Sequence, residues 1–142
     1  MMVVVDTNVV SELRKLRAGK TDVHFAQWAD AIDAADLYMS VISILELETG
    51  VLRMERRDAK QGALLRAWLD KIVMPEFNGR VLPVDTAVAQ RCARLQVPDP
   101  RSERDALIGA TALVHGMTLV TRNVVDFELM GVPLINPWNP IP

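Results

Sequence analysis

The feature that most limits how this chain can fold is a series of apolar runs too short to be helices, separated by segments of helical periodicity. Val3-Val4-Val5 is β-branched, free of polar residues and closed by Asp6, the pattern of a strand buried on both faces. Leu37 to Ser40, Arg80 to Val84, Thr118 to Thr121 and Pro133 to Asn136 read as further short strands. Pro83 cannot donate to a ladder, so the 80–84 strand belongs at an edge. Between the first two strands, Val9, Val10, Leu13 and Leu16 recur at helical spacing. Thr7 or Asn8 can cap that helix, and Ala18-Gly19 stops it. Other helices are expected over about 22–35, 43–56, 58–74, 85–95 and 102–116, the last ended by Gly116, with Pro98-Asp99-Pro100 as a loop. Short strands alternating with helices predict an α/β fold with a largely parallel sheet covered on both faces.

At 142 residues the chain has room for one ordinary domain, and no interior linker divides it, so residues 1–142 are expected to form a single domain. Half of the residues are hydrophobic, which is ample for a core. A net charge of −2 excludes binding of nucleic acid through bulk positive charge; any such contact must come from a local basic patch. Cys92 stands alone, so there is no internal disulfide, and its helical neighbours make it a small core residue. No apolar run approaches the ~18 residues that span a bilayer, and Asp6 interrupts the first run before it could be a signal peptide. A reducing cytoplasm is the expected setting.

Four carboxylates fall at expected strand ends or helix starts: Asp6, Glu46, Asp105 and Asp126. Each has a bland explanation. Ser43-x-x-Glu46 matches a capping box, and Ser102-x-x-Asp105 approximates one. Asp6 could bond the amides of the following turn, and Asp126 could cap a turn starting at Phe127-Glu128. Taken together they are harder to dismiss. Sites in open α/β sheets form outside the carboxyl ends of the strands. Acids gathered there repel one another unless a cation sits between them. A hard divalent metal is the simplest reason for such a cluster. Gly50 and Gly109 each follow an acid by one helical turn, which suggests close approach to that face, with tight helix packing as the alternative.

Several segments resemble the PIN-domain proteins. They are Val4-Val5-Asp6-Thr7-Asn8, Ser11 to Lys15, Ser40 to Gly50, Arg104 to Ala112, and Leu119 to Phe127 with its Thr121-Arg122-Asn123 start. The closing Asn136-Pro137-Trp138 is similar to the FitB-like branch of the VapC toxins, so the resemblance spans residues 3–138. It implies a three-layer α/β/α sandwich with a projecting helical hairpin, here Leu47 to Met74. It also implies an endoribonuclease, the toxin of a type II toxin–antitoxin pair. The family's acidic set maps onto Asp6, Glu46, Asp105 and Asp126, and its polar supporting residues onto Thr7, Asn8, Thr121 and Asn123.

On that reading Mg²⁺, or Mn²⁺ in its place, is held directly by Asp6 and Asp105, with Glu46 and Asp126 acting through water or on a second ion. The expected reaction is attack of an activated water on the RNA backbone. Basic residues available to RNA are Arg14, Lys15, Arg17 and Lys20, then Arg53, Arg56, Arg57 and Lys60, and finally Arg104 and Arg122, which lie nearest the acids in sequence. His24 and His115 sit in or at the end of helices and are not needed for the chemistry. The expected partners are a small VapB-like antitoxin, in a groove between the hairpin and the first helix, and a second copy of the chain. Leu45, Leu47, Val51, Leu52 and Met54 on the 43–56 helix, and Ala63, Leu64, Leu65, Trp68, Leu69 and Ile72 on the 58–74 helix, are more apolar surface than one sheet face can cover and would supply that groove.

Two other classes compete. A phosphate-binding or phospho-receiver domain also gathers acids and Mg²⁺ at strand ends. It usually pairs two acids after the first strand and carries a late Lys, whereas here Asp6 precedes Thr7-Asn8 and the late strand ends Thr121-Arg122. A non-catalytic interaction protein would show no metal-dependent cleavage that Asp6→Asn abolishes.

Overall fold

The computed structural model describes residues 1–140. Five parallel strands form the sheet: β1 (Val3–Val5), β2 (Leu37–Ser40), β3 (Val81–Leu82), β4 (Thr118–Val120) and β5 (Leu134–Ile135). Their order is β3-β2-β1-β4-β5, with β3 at the edge its proline predicts. The central strand pairs Val4 with Tyr38 on one side and with Leu119 on the other.

Alternation along β1 explains the layers. Val3 and Val5 enter one apolar cluster with Val9, Phe25, Met39, Leu47 and Trp68. Val4 points the other way, into a cluster with Ile108, Leu119, Phe127 and Met130. All three valines are completely buried, as an unbroken β-branched run between two helical layers requires. On the first face lie α1 (Thr7–Arg17), α2 (Val23–Ala31), α3 (Val41–Arg57) and α4 (Ala59–Trp68). On the second lie α7 (Glu103–Val114) and α8 (Val124–Phe127), with α6 (Thr86–Leu95) packed on α7 through Val88, Cys92, Ala106 and Ala110. The fold is thus an α/β/α sandwich, and its sheet is parallel throughout.

The antiparallel pair α3 and α4 makes the helical hairpin. Arg66 on α4 ties it by reaching Glu48 and Glu55 on α3. A Cβ on Gly62 would lie 2.4 Å from Glu55 Cα, so only glycine lets the two helices approach this closely. The expected single helix over 58–74 is broken. Pro75, in α5 (Met74–Glu76), cannot donate to the preceding turn, and residues 69–73 open into a π-turn in which the Met74 amide donates to the Leu69 carbonyl. α2 likewise stops before 35, and a 3₁₀ turn covers Ala34–Asp36. At the end of α1, Gly19 adopts φ +71 and the Lys20 amide closes on the Lys15 carbonyl at 2.9 Å, the stop that Ala18-Gly19 predicts. Among the described residues, no helix is long and apolar enough to cross a membrane.

Candidate active site at the ends of β1 and β4

The chain leaves β1 toward β2 on one side and returns through β4 on the other, so the sheet order reverses between these two central strands. Such a switch point opens a crevice at the strands' carboxyl ends. Asp6 follows β1 directly, and Thr121 follows β4.

Asp6, not Thr7 or Asn8, caps α1: its Oδ1 accepts from the Thr7 amide at 2.8 Å. Its Oδ2 accepts from the Thr121 hydroxyl at 2.7 Å and from Asn8 Nδ2 at 3.2 Å. Asn8 Oδ1 in turn accepts from the Arg122 amide at 3.3 Å, and the Thr121 hydroxyl accepts from the Asn123 amide at 3.0 Å. These bonds lock the two strand ends together. Thr7 turns the other way, donating to Glu46 Oε1 at 2.6 Å and lying 2.9 Å from the Ser43 hydroxyl.

The capping-box reading of Glu46 does not hold. α3 begins at Val41, capped by Ser40, whose hydroxyl accepts from the Ile42 amide at 3.0 Å. Ser43 is therefore inside the helix and fully buried, and Glu46 stands one turn further on, aimed at Thr7. Ser102 makes no side-chain cap either, which leaves Asp105 in the first turn of α7 without that partner. Asp126 lies within α8 rather than ahead of a turn starting at Phe127-Glu128, so the expected capping role does not hold.

The acids feel one another. Burial pushes Asp105 up to about 6, and the charges of Asp6, Asp126 and Glu46 add to the rise. Burial also raises Asp6, against the bonds from Thr121 and Thr7, with Glu46 and Asp126 adding to the rise. Arg104 approaches Glu46 Oε2 at 3.9 Å, and the Arg122 guanidinium lies 5.0 Å from the Trp138 ring centre. Ser43 and Trp138 are the contributors that sequence reasoning missed. Ser43 was hidden by the assumed helix start, and nothing local marks a partner for Trp138.

The donors are all hard oxygens, the charges of Asp6, Asp126 and Glu46 all bear on Asp105, and among the described residues Arg104 makes the only ion pair with any of the four acids. That chemistry fits a Mg²⁺-class ion. Among the described residues, no three His, Cys, Asp or Glu side chains converge tightly enough to enclose an ion unaided.

The glycine expectation resolves toward packing at Gly109 alone, and at Gly50 neither packing nor close approach is seen. A Cβ on Gly109 would meet Met130 Sδ at 2.6 Å, in the core, while one on Gly50 would meet nothing within 4 Å.

A PIN-domain profile matches residues 3–130. The chain is 36% identical over 144 residues to VapC ribonuclease Y4jK of Sinorhizobium fredii, covering 98% of this chain and 99% of that one. It is 32% identical over 143 residues to toxin FitB of Neisseria gonorrhoeae, with 97% and 99% covered. The solved structure of FitAB bound to the IR36 DNA fragment superposes with a TM-score of 0.87 at 31% identity, covering 99% of each chain. With the fold, the acidic crevice and these full-length similarities in agreement, the chain belongs to the PIN-domain family, in its VapC and FitB branch.

Proposed function

We propose that this protein is a metal-dependent endoribonuclease, the toxin of a type II toxin–antitoxin pair, working as a single domain in the cytoplasm. The observation that carries the proposal is that the charges of Asp6, Asp126 and Glu46 all bear on Asp105, which burial pushes up to about 6. The names of its relatives, a ribonuclease and a toxin, support the reading.

Asp6 and Asp105 would hold Mg²⁺ or Mn²⁺ directly, and Glu46 and Asp126 through water. When bound, the ion supplies Lewis-acid polarisation of a phosphoryl oxygen and acidifies a water for in-line attack. The protein's own share is positioning. Thr121 and Asn8 hold one oxygen of Asp6 and the Thr7 amide holds the other, so this carboxylate cannot rotate away. Thr7 does the same for Glu46. Asn123 supports Thr121 through its amide. Arg104, which approaches Glu46, and Arg122, whose amide bonds Asn8, would contact the phosphates of the scissile strand. His115 caps the far end of α7 from Asp105 and takes no part.

The hairpin supports an antitoxin partner. Of the expected apolar residues, Leu47, Val51, Trp68 and Leu69 pack into the core, but Leu52 and Leu64 remain more than half exposed, and Leu45 and Ile72 are exposed as well. A groove of about 220 Å³ runs between α1 and residues 68–77, lined by Val10, Leu13, Leu16, Trp68, Ile72 and Phe77. An apolar helix of a small VapB-like protein is the occupant this shape and chemistry suit. A homodimer completes the proposal; light scattering that finds only monomer at high micromolar concentration would remove that part.

The nuclease is tested with purified protein and single-stranded RNA. Cleavage should require Mg²⁺ or Mn²⁺ and stop on chelation. Undiminished cleavage in excess EDTA would overturn the reading.

A further inference from the structure

We propose that Trp138 is a positioning residue, a platform that holds the Arg122 guanidinium over the crevice to receive a phosphate of the RNA strand. This inference rests on the nuclease reading above and adds to it a residue outside the acidic set.

The geometry is built from both strand ends. The Thr121 amide donates to the Ile135 carbonyl at 2.9 Å, which continues the β4–β5 register past Val120. The chain then turns through Asn136-Pro137-Trp138-Asn139, closed by the Asn139 amide on the Asn136 carbonyl at 3.1 Å. Proline at the second position suits such a turn, and Asn136 Oδ1 accepts from the Trp138 amide at 3.0 Å. The turn swings the indole beneath residue 122. One side of the system is fixed to the core: the Trp138 and Phe25 rings lie 4.8 Å apart, and Phe25 is fully buried. On the other side the Arg122 guanidinium lies 5.0 Å from the ring centre, within reach of a cation–π contact.

Arg122 is also tied to the acids through its backbone, since its amide bonds Asn8, which bonds Asp6. The two arginines therefore differ. Arg104 is engaged with Glu46, whereas Arg122 takes part in none of the ion pairs found among the described residues. Stacking on an aromatic face fixes the plane of a guanidinium while leaving its N–H edge free to donate. A stacked arginine beside a phosphodiester-cleaving centre is thus set to take a phosphate edge-on. On a protein of net charge −2, such an anchored cation offsets the repulsion between the acids and the RNA backbone.

The test uses the full chain, Mg²⁺ and a single-stranded RNA substrate, with KM and kcat measured at several salt concentrations and melting curves recorded for each variant. Arg122→Gln should raise KM on the order of tenfold, as expected for loss of one charge-assisted contact. Its log KM against log salt slope should fall by about 0.7, the value for one phosphate of a single strand. Trp138→Leu should raise KM about threefold, the size of an exposed cation–π contact, and by more than it lowers kcat. Trp138→Phe should recover most of that loss, and the Arg122→Gln/Trp138→Leu double variant should be no worse than Arg122→Gln. Arg122→Lys keeps the charge but loses the planar stack; residue 122 is exposed, so this variant tests the stack even if Trp138→Leu does not fold. Its KM should also rise about threefold. Wild-type KM in Arg122→Lys, or full additivity in the double variant, would overturn the proposal while leaving the nuclease standing. A wild-type chain that cleaves no RNA would overturn both.

Discussion

The two halves of α3 serve opposite surfaces. Its first turns carry Ser43 and Glu46 into the crevice, where Thr7 bonds both and every polar group works against another. Its later turns carry Leu52 out along the hairpin, 54% exposed, with the Arg66 ion pairs as the main polar ties nearby. The crevice is over-determined by hydrogen bonds and strained by like charge. The hairpin buries Leu47, Val51 and Trp68 in the core, is tied by Arg66 and the close Gly62 contact, and leaves Leu52 and Leu64 open. Repulsion in the first region calls for a cation, and exposed leucine in the second calls for a protein partner. The contrast shows how one helix can join a chemical site to a docking surface and leave each with its own energetics.

The largest expected effect strikes the crevice alone. Asp105→Asn should lower RNA cleavage on the order of 10³-fold, the scale for removing a charged group from a reacting centre. The same change should raise the melting temperature at neutral pH, because it removes one member of a repelling set. Asp6→Asn should be as inactive, without the gain in stability. An amide at position 6 has one accepting oxygen and cannot serve the Thr7 amide and also Thr121 and Asn8, so hydrogen bonding worth about 1 kcal/mol is lost. Melting curves and cleavage assays on both variants separate the two contributions. If both variants unfold and Glu46→Gln is fully active, the acids are structural.

Next comes the hairpin. Leu52→Glu should weaken antitoxin binding by about 2 kcal/mol or more, the scale of an interface hot spot, and leave cleavage intact. Titration of the folded variant with its partner checks this; retained affinity would reject the surface. Within the hairpin, Gly62→Ala should destabilise by about 1–3 kcal/mol, since its Cβ would strike the Glu55 backbone. Gly50→Ala, facing open space, should stabilise by up to about 1 kcal/mol. Denaturant melts that reverse this order would show the helices to be packed differently.

The smallest effect is a pH dependence confined to the crevice. Asp105 titrates at about 6 in the folded protein against 3.8 in its ordinary state. The folded state therefore holds the proton more tightly, and stability falls as pH rises through that interval. Below about 3.8 the penalty is absent, and above about 6 it is complete. In chelator, the melting temperature should drop between pH 4 and 6 by more in the wild type than in Asp105→Asn. Saturating Mg²⁺ should reduce the difference.

Most of the layered fold was legible from period alone. Val3-Val4-Val5 can only be a strand covered twice, and Pro83 can only be peripheral. The breaks in helices were less so. Pro75 acts on hydrogen bonds a turn earlier, and the resulting π-turn leaves the apolar pattern of 58–74 nearly unchanged. The crevice acids could be named from their places at element ends, but their bonding could not. A Ser at 40 and a Ser at 43 are equal candidates for a cap until Thr7, 36 residues away from Ser43, takes one of them. Trp138 shows the same limit: its contact with Arg122 depends on the β4–β5 register, which has no local signature, as well as on the Asn136-Pro137 turn.

The central claim is that the crevice binds a divalent cation through its carboxylates. Direct Mn²⁺ titration of the purified protein, followed by electron paramagnetic resonance of the free ion, tests it without relying on RNA. The account predicts saturable binding by the wild type, strongly weakened in Asp6→Asn and Asp105→Asn and unchanged in Leu52→Glu. Equal Mn²⁺ binding by the wild type and the Asp6→Asn/Asp105→Asn double variant would contradict it.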